Sequence, residues 1–351
     1  MSANSKIEWT DHTFNPWEGC QKVGPGCDHC YAEARNARFG GGVSANWGPG
    51  APRRRTSKAN WMKPIRWNDG HDAFFAEHGR RQRVFCASLA DVFDNAVDPQ
   101  WRDDLWELIW LTPNLDWLLL TKRVGNVLDM LPNEWGNAMH PEWPNVWIGA
   151  TVVNQEEADR DIPKLLEVPA AVRFLSIEPM LGAIDLKRYL DPTGITCMDY
   201  CSDSHYVDVD AIDTTSEGDE VVPLCQNCGE PASWTGYDDG IDWVICGGES
   251  GRNARPPHPD WVHALRDQCA GAAVPFLFKQ WGEWLPGAFA TNEHFDLNPR
   301  GEWVSLDGTT HDGNMLEAFR KADCNVLKVG KKNAGRLLDG RTHDEFPRGS
   351  V

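Results

Sequence analysis

Short apolar runs recur along this chain, and a polar residue or glycine follows each of them. The runs are continuous rather than alternating, which is typical of strands that are buried on both faces of a sheet. Between them lie stretches in which apolar residues recur every three or four positions, as in amphipathic helices. This alternation predicts a parallel α/β sheet. The apolar runs occupy residues 84–88, 117–121, 146–150, 172–176, 243–247 and 275–279, and the clearest helical stretches occupy residues 99–110, 155–160 and 259–266.

With a first strand near residues 13–17, the chain holds about seven strands, a number that favours a partial or distorted (β/α) barrel over an open doubly wound sheet. A chain of 351 residues is long enough for such a barrel and a small insertion. We therefore predict one barrel-like α/β domain from residues 1–190 and 241–351, interrupted by an insertion at 191–240.

Polar residues follow almost every predicted strand. In a (β/α) barrel these positions face the active site, so they are the candidate functional residues. We predict catalytic roles for Arg123, Glu178 and Glu249. Cofactor-binding roles are predicted for Ser88, Asp91, Lys122, Thr151 and Ser250, and Asn154, Lys279 and Gln280 are further candidates.

Each of these residues also has a purely structural interpretation. Lys122 or Arg123 could cap a strand end or pair with Glu178, and Pro179 could simply end the strand that precedes it. If the residues are functional, Lys122 or Arg123 would hold a carboxylate or phosphate, and the carboxylates would hold an ammonium group or ribose hydroxyls.

Three cysteines, Cys20, Cys27 and Cys30, lie close together near the start of the chain. A trio of thiolates leaves a bound metal centre one ligand short. An iron–sulfur cluster held by three cysteines would keep one iron open, whereas structural zinc would need a fourth ligand such as His29 or His12. A third interpretation is that the thiols are small core residues without a metal.

Several motifs together resemble a phage-associated three-cysteine family of uncharacterised function, which is itself similar to radical S-adenosylmethionine (SAM) enzymes. The resemblance covers nearly the whole chain outside residues 191–240. Beside the pattern Gly-Cys-x6-Cys-x2-Cys-Tyr-Ala, it rests on Lys6-Ile7-Glu8-Trp9-Thr10, Leu119-Leu120-Thr121-Lys122-Arg123, Ser176-Ile177-Glu178-Pro179 and Gly247-Gly248-Glu249-Ser250-Gly251.

The resemblance implies a barrel of the radical-SAM type and the cofactors of those enzymes. In that superfamily three cysteines bind a 4Fe–4S cluster, its open iron chelates S-adenosyl-L-methionine, and one-electron reduction releases a 5′-deoxyadenosyl radical. Cys20, Cys27 and Cys30 would take this role, and a nucleic-acid base or nucleotide is the implied substrate.

Two features depart from the superfamily pattern. The commonest spacing is Cys-x3-Cys-x2-Cys with an aromatic residue before the last cysteine, whereas six residues separate Cys20 from Cys27 and His29 takes the aromatic position. A Gly-Gly-Glu that helps to bind the methionine amino group usually follows the second strand, but here it follows a much later one. That role is therefore not transferred to Glu249.

A second metal site is predicted within residues 191–240. Two thiolate pairs have nearly the spacing of a zinc ribbon, namely Cys197 with Cys201 and Cys225 with Cys228. The alternatives are a site that uses His205, or no metal. Residues 191–242 contain 13 Asp and Glu and no Lys or Arg, out of a formal net charge of −18. Such a segment would repel a phosphate backbone, so it does not suit a nucleic-acid-binding finger. A solvated acidic loop held together by zinc is favoured over a protein-binding knob.

Residues 52–83 have the opposite character. Nine Lys and Arg against three Asp and Glu give the segment a net charge of +6, and Trp47, Trp61 and Trp67 are interleaved with or flank these cations. This combination can grip phosphates and stack bases, so the segment is a candidate nucleic-acid surface. An ordinary solvated surface with inward-facing tryptophans has the same pattern.

The remaining features indicate a cytoplasmic protein. The chain has no run of about 18 apolar residues, and its start lacks the features of a secretion signal. Its eleven cysteines are an odd number and several are closely grouped, which suits a reducing compartment with metal-bound thiolates. The isolated Cys86, Cys246, Cys269 and Cys324 are predicted to be buried.

Three function classes follow from these observations. The first is a radical-SAM-type enzyme. The second is a non-catalytic, zinc-stabilised protein that binds nucleic acid or another protein. The third is a cluster protein that senses redox state or transfers electrons without cleaving S-adenosylmethionine.

Overall fold

The computed structural model describes residues 5–132, 143–190, 240–298, 301–312 and 323–347, together with five short strands between residues 195 and 234. In chain order the strands are β1 (His12–Phe14), β2 (Trp17–Glu18), β3 (Arg54–Arg55), β4 (Gln82–Cys86), β5 (Leu115–Thr121), β6 (Val146–Thr151), β7 (Val172–Ile177), β8 (Ile195–Thr196), β9 (Tyr206–Val207), β10 (Asp213–Glu217), β11 (Glu220–Leu224), β12 (Ser233–Trp234), β13 (Trp243–Gly247), β14 (Phe276–Gln280), β15 (Trp284–Pro286), β16 (Glu302–Val304), β17 (Thr310–Asp312) and β18 (Cys324–Lys328).

The helices stand mostly between the long strands, as the sequence predicts. In chain order they are α1 (Tyr31–Phe39), α2 (Lys58–Trp61), α3 (Lys63–Asp69), α4 (His71–His78), α5 (Pro99–Trp110), α6 (Val127–Met130), α7 (Gln155–Leu166), α8 (Lys187–Leu190), α9 (Pro259–Gly271), α10 (Asn292–Leu297) and α11 (Lys331–Ala334).

The main sheet has seven parallel strands in the spatial order β1-β4-β5-β6-β7-β13-β14. These strands lie in the same order in space as in the chain. Each strand is therefore followed in the sheet by the next of these strands along the chain. Because crossovers between parallel strands are right-handed, this order places all connecting helices on the same face of the sheet. The sheet curls into a half-barrel, which confirms the predicted fold class.

Alternate residues of these strands form two separate cores. Outward-facing side chains such as Trp117 and Ile148 pack in the large core that contains the buried faces of the helices. Inward-facing side chains form a smaller aromatic core inside the half-barrel: Trp9, Phe85, Leu118, Trp147, Val172, Phe174, Trp243, Ile245 and Leu277. The continuous apolar runs of the sequence follow from this burial on both faces.

The long helices begin at side-chain caps. Asp98 accepts a hydrogen bond from the backbone N–H of Gln100 at the start of α5, and Asn154 accepts one from Glu157 at the start of α7. Both caps satisfy a backbone donor that has no partner within the helix. Each cap therefore fixes the point at which the chain leaves the carboxyl end of the sheet.

A second sheet follows the half-barrel and was not predicted from the sequence. Its four antiparallel strands lie in the order β15-β18-β16-β17. Trp284, Val304 and Val326 form a small core of their own with Ala254. Through Ala254 and Trp284, this small core adjoins the chain that follows β13 and β14.

The acidic insertion is described only at its short strands. β8, β9 and β12 form one antiparallel sheet, and β10 pairs with β11. The predicted zinc ligands Cys197, Cys201, Cys225 and Cys228 lie outside the described residues. The zinc site and the boundaries of the insertion therefore stay predictions.

No helix among the described residues is both long enough and apolar enough to cross a membrane.

Candidate functional site

The three-cysteine loop (residues 19–31) lies across the carboxyl ends of the parallel strands. The backbone N–H of Gly19 donates to the carbonyl of Leu89, just beyond β4, over 3.1 Å. A Cβ placed on Gly26 would lie 3.4 Å from Cε of Lys122 and 4.0 Å from Cδ of Pro179, which follow β5 and β7. The loop therefore covers the edge at which catalytic groups of a (β/α) barrel are found.

Arg123 connects this loop to the end of β5. Its Nη1 lies 3.4 Å from Sγ of Cys20 and 3.0 Å from Oδ2 of Asp91, and its Nη2 donates to the carbonyl of Gln21 over 2.9 Å. The side chains of Arg123 and Asp91 are 9% and 6% exposed. The predicted catalytic arginine thus contacts one of the predicted cluster ligands.

Burial and charge act against each other in this contact. Burial raises the pKa of the Cys20 thiol to about 11, although the Arg123 guanidinium opposes the shift. Burial lowers the pKa of Arg123, but the charges of Asp91 and Cys20 raise it by more, so the guanidinium stays charged. The result is a fixed positive charge beside a thiol.

Cys27 and Cys30 complete the trio on the same loop. Cys27 ends a single 3₁₀ turn (Pro25–Cys27), and Cys30 is the last residue before α1. All three thiols are free and only partly buried. In the part of the chain that the structure describes, no three Cys, His, Asp or Glu side chains form a group that could hold a metal ion.

The chemistry of these three donors would suit an iron–sulfur cluster. Three thiols on one glycine-rich loop, one of them hydrogen-bonded by a guanidinium, suit a cluster with three protein ligands. The zinc alternative needs His12 or His29 as a fourth ligand. His12 Nε2 bonds Gln82 over 2.7 Å and its ring stacks on Trp67, while His29 Nδ1 lies 3.1 Å from Glu249. Each imidazole is thus engaged through one ring nitrogen, and among the described residues Nδ1 of His12 is buried without a hydrogen-bond partner.

The loop after β13 holds the cysteine loop from the other side. Arg255 donates from its backbone N–H and its Nε to one oxygen of Glu249 over 2.7 and 2.9 Å, and from Nη2 to the other over 2.6 Å. The same guanidinium reaches Oδ2 of Asp28 over 3.0 Å and the carbonyl of Pro25 over 2.9 Å. Glu249 thereby orients Arg255, and Arg255 clamps the loop.

In this structure Glu249 orients Arg255, and its predicted catalytic role stays a prediction. Burial raises the pKa of its carboxyl, but the hydrogen bonds from Arg255 lower it by more, so the net pKa lies below the usual value. Sequence reasoning found Glu249 and missed Arg255 and Asp28. Arg255 lies in a polar turn without a motif, and 227 residues separate it from Asp28, so the sequence held no local signal for the pair.

A second polar group lies at the ends of β7 and β14. Nζ of Lys279 is 2.8 Å from each carboxylate oxygen of Glu178, and Gln280 Nε2 donates to Glu178 over 2.9 Å and to Ser250 Oγ over 3.3 Å. The pairing of Glu178 with Lys122 or Arg123 considered above is therefore wrong, because its cationic partner is Lys279. Four candidate residues, Glu178, Ser250, Lys279 and Gln280, come together here.

The remaining predicted residues lie around these two groups. Nζ of Lys122 donates to Oγ1 of Thr151 over 3.3 Å at the ends of β5 and β6. Ser88 is bonded by Asn15 through its hydroxyl, and its carbonyl accepts from the Tyr31 hydroxyl. Ser88 thus supports the start of α1.

The arginines of residues 52–83 are largely used within the chain. The ion pairs are Arg53 with Asp94, Arg54 with Glu18, Arg55 with Asp104, Arg80 with Asp11 and Arg81 with Asp116. Arg55 also lies over the ring of Trp61. These pairs neutralise much of the positive charge that suggested a nucleic-acid surface, and that surface stays a prediction.

The isolated cysteines behave mainly as core residues. Cys86, Cys246 and Cys269 are buried, as predicted, whereas Cys324 is only partly buried. The prediction for Cys324 is wrong because this residue begins β18 of the C-terminal sheet, a strand in which only Val326 and Leu327 are buried.

The fold and the site define an α/β half-barrel protein with a three-cysteine loop across its strand ends. The chain belongs to the family described as "Protein of unknown function (DUF5131)", which matches residues 4–347. This confirms the predicted membership of an uncharacterised family, while the phage association stays a prediction. No curated protein matches the chain.

Two solved structures of spore photoproduct lyase are similar to part of the chain. One is a complex with dinucleoside spore photoproduct, at a TM-score of 0.32 and 13% identity. The other is a doubly substituted variant with bound AdoMet and the same dinucleoside, at a TM-score of 0.31 and 12% identity. Each match covers 50% of this chain and 47% of the lyase, so the chain spans about half the length of the structures it matches.

Proposed function

We propose that this protein is an iron–sulfur enzyme of the radical-SAM type, with a 4Fe–4S cluster on Cys20, Cys27 and Cys30. The observation that supports the proposal is the position of the three-cysteine loop. It lies on the carboxyl ends of a curled parallel sheet, where Arg123 and Lys122 meet it from the end of β5. A site that serves only to stabilise the fold needs neither this position nor partly exposed thiols.

The cluster, when bound, would supply one electron for the reductive cleavage of S-adenosylmethionine. The protein has to hold the cluster, orient the cofactor and limit the access of water. Arg123 and Arg255 fix the two sides of the cysteine loop through their contacts with Cys20 and Asp28. Loading would require the three thiols to turn toward one another on this anchored loop.

The polar groups at the strand ends are the proposed cofactor and substrate contacts. Lys122 would bind a carboxylate or phosphate, and Glu178 would bind an ammonium group or ribose hydroxyls. Thr151 and Ser250 offer hydroxyl groups beside them, through Lys122 and Gln280. Asp91 acts through Arg123, and a cofactor contact by Ser88 remains part of the proposal. The proposed substrate class is a nucleic-acid base or nucleotide.

The proposal is tested by anaerobic purification and analysis of metal content. We expect wild type to contain about four iron and four sulfide per chain, and the Cys27→Ala variant to lose them. The Cys324→Ala variant is the matched control, since it removes a partly buried thiol outside the loop and should keep the iron. Dithionite and S-adenosylmethionine should then yield 5′-deoxyadenosine with wild type and Cys324→Ala but not with Cys27→Ala.

Zinc without iron after anaerobic reconstitution would refute the enzyme and favour a zinc-stabilised binding protein. A full cluster without deoxyadenosine would leave an electron-transfer or redox-sensing protein. Zinc that is lost from a Cys225→Ala variant while iron is retained would test the separate site in the insertion.

A further inference from the structure

Arg123 is held in one place by contacts on several sides. Besides Asp91 and Gln21, its Nε lies 4.0 Å from Oδ1 of Asp94, and the other oxygen of Asp94 accepts from Nε of Arg53 over 2.7 Å. These groups are nearly inaccessible to solvent, with side-chain exposures of 9% for Arg123 and 4% for Asp94. The position of the guanidinium beside Cys20 is therefore set by the fold.

Asp91 is fixed as firmly as its partner. Its Oδ1 accepts from the Thr121 hydroxyl over 2.8 Å and from the backbone N–H of Phe93 over 3.0 Å. Its Oδ2 accepts from the backbone N–H of Lys122 over 3.2 Å, next to Arg123. The carboxylate thus adds a negative charge at a fixed position against the same guanidinium nitrogen, Nη1, that contacts Cys20.

Fixed charges and N–H···S hydrogen bonds are two of the protein's means of setting the reduction potential of an iron–sulfur cluster. A positive charge near a ligand sulfur stabilises the reduced cluster, which is one unit more negative, and burial strengthens this effect because little water screens it. A negative charge in contact with that cation has the opposite effect, because it destabilises the reduced cluster.

We propose that Arg123 raises the reduction potential of the cluster through its contact with Cys20, and that Asp91 limits this rise. The inference rests on the proposed function. The step concerned is transfer of one electron from a one-electron donor, such as dithionite, to the cluster, with no bond made or broken and no proton moved. Arg123 and Asp91 are positioning residues for this step.

The test is a redox titration, followed by electron paramagnetic resonance, of anaerobically loaded protein. For Arg123→Gln we expect at least a tenfold lower ratio of reduced to oxidised cluster at a fixed potential, which is about 59 mV for a one-electron couple. Asp91→Asn should shift the ratio in the opposite direction. Arg80→Gln is the matched control, because it breaks another arginine–aspartate pair, which lies at the amino ends of β1 and β4.

Iron content and the thermal midpoint of each variant show whether it is folded and loaded. If Arg123→Gln does not take up the cluster, the reduction potentials of Arg123→Lys and Asp91→Asn test the inference instead. Arg123→Lys keeps the positive charge without the forked hydrogen bonds, and Asp91→Asn keeps Arg123 itself. Equal potentials in all loaded variants would overturn the inference and leave the proposed function standing. Wild type that takes up no cluster would overturn both.

Discussion

Gly248 allows two loops at the functional edge of the sheet to touch through their backbones. Its N–H donates to the carbonyl of Gln280 over 2.8 Å, and the N–H of Glu283 donates to the carbonyl of Glu249 over 3.0 Å. A Cβ on Gly248 would lie 2.5 Å from the carbonyl carbon of Trp281 and closer still to its oxygen. We therefore predict that Gly248→Ala forces these loops apart.

The cost follows from what blocks the new methyl group. Cβ atoms essentially never approach a neighbour within 3.0 Å, so the backbone at Trp281 would have to retreat by about 1 Å to free its carbonyl oxygen, which is the nearest atom. Overpacking of a well-packed site typically costs about 1–3 kcal/mol. Because the obstacle is hydrogen-bonded backbone rather than a flexible side chain, we expect a loss near the upper end, about 3 kcal/mol. Urea unfolding, followed by tryptophan fluorescence, measures it as a lower midpoint at an unchanged slope.

Gly271→Ala is the matched control. Gly271 ends α9, and nothing lies within 4 Å of an added Cβ there. We expect this variant to be unchanged or more stable by up to about 1 kcal/mol, because alanine favours the helix. A Gly248→Ala variant with the same urea midpoint as wild type would refute the reasoning.

Three further predictions concern the clamp and the core. Arg255→Leu should lower the free energy of unfolding by about 2 kcal/mol, the scale of hydrogen bonds to charged groups. It should also speed amide hydrogen exchange at residues 24–30. Arg252→Leu, a change on the same turn, should have neither effect. Glu249 has a lowered pKa in the folded state, so its ionised carboxylate stabilises the fold fully above its unfolded pKa of about 4.3. This stabilisation is lost as the pH falls through the folded pKa. The stability of Glu249→Gln, measured by acid unfolding, should therefore depend less on pH in this range than that of wild type. Leu118→Ala should cost about 2–5 kcal/mol in urea unfolding because Leu118 is fully buried inside the half-barrel, while Leu128→Ala at an exposed helix position should cost less than about 1 kcal/mol; equal losses would contradict the assignment of the inner core.

The strands of the half-barrel could be predicted because their signal is local. A strand buried on both faces needs consecutive apolar residues, and β5 and β13 show this in the sequence itself. The same pattern placed Arg123, Glu178 and Glu249 at strand ends. The C-terminal sheet was missed because its strands are short, only partly buried at β16 and β18, and separated by polar turns.

Within the candidate site, the sequence alone determined the three thiols and the polar residue types that follow each strand. Only the tertiary structure decided which of them meet: Arg123 with Cys20, Glu178 with Lys279, and Arg255 with Asp28. It also showed that most arginines of the basic segment are paired with carboxylates within the chain. The physical reason is range, since strand and helix patterns arise from neighbours along the chain, whereas ion pairs and clamps join residues whose distance is fixed only when the sheet has formed.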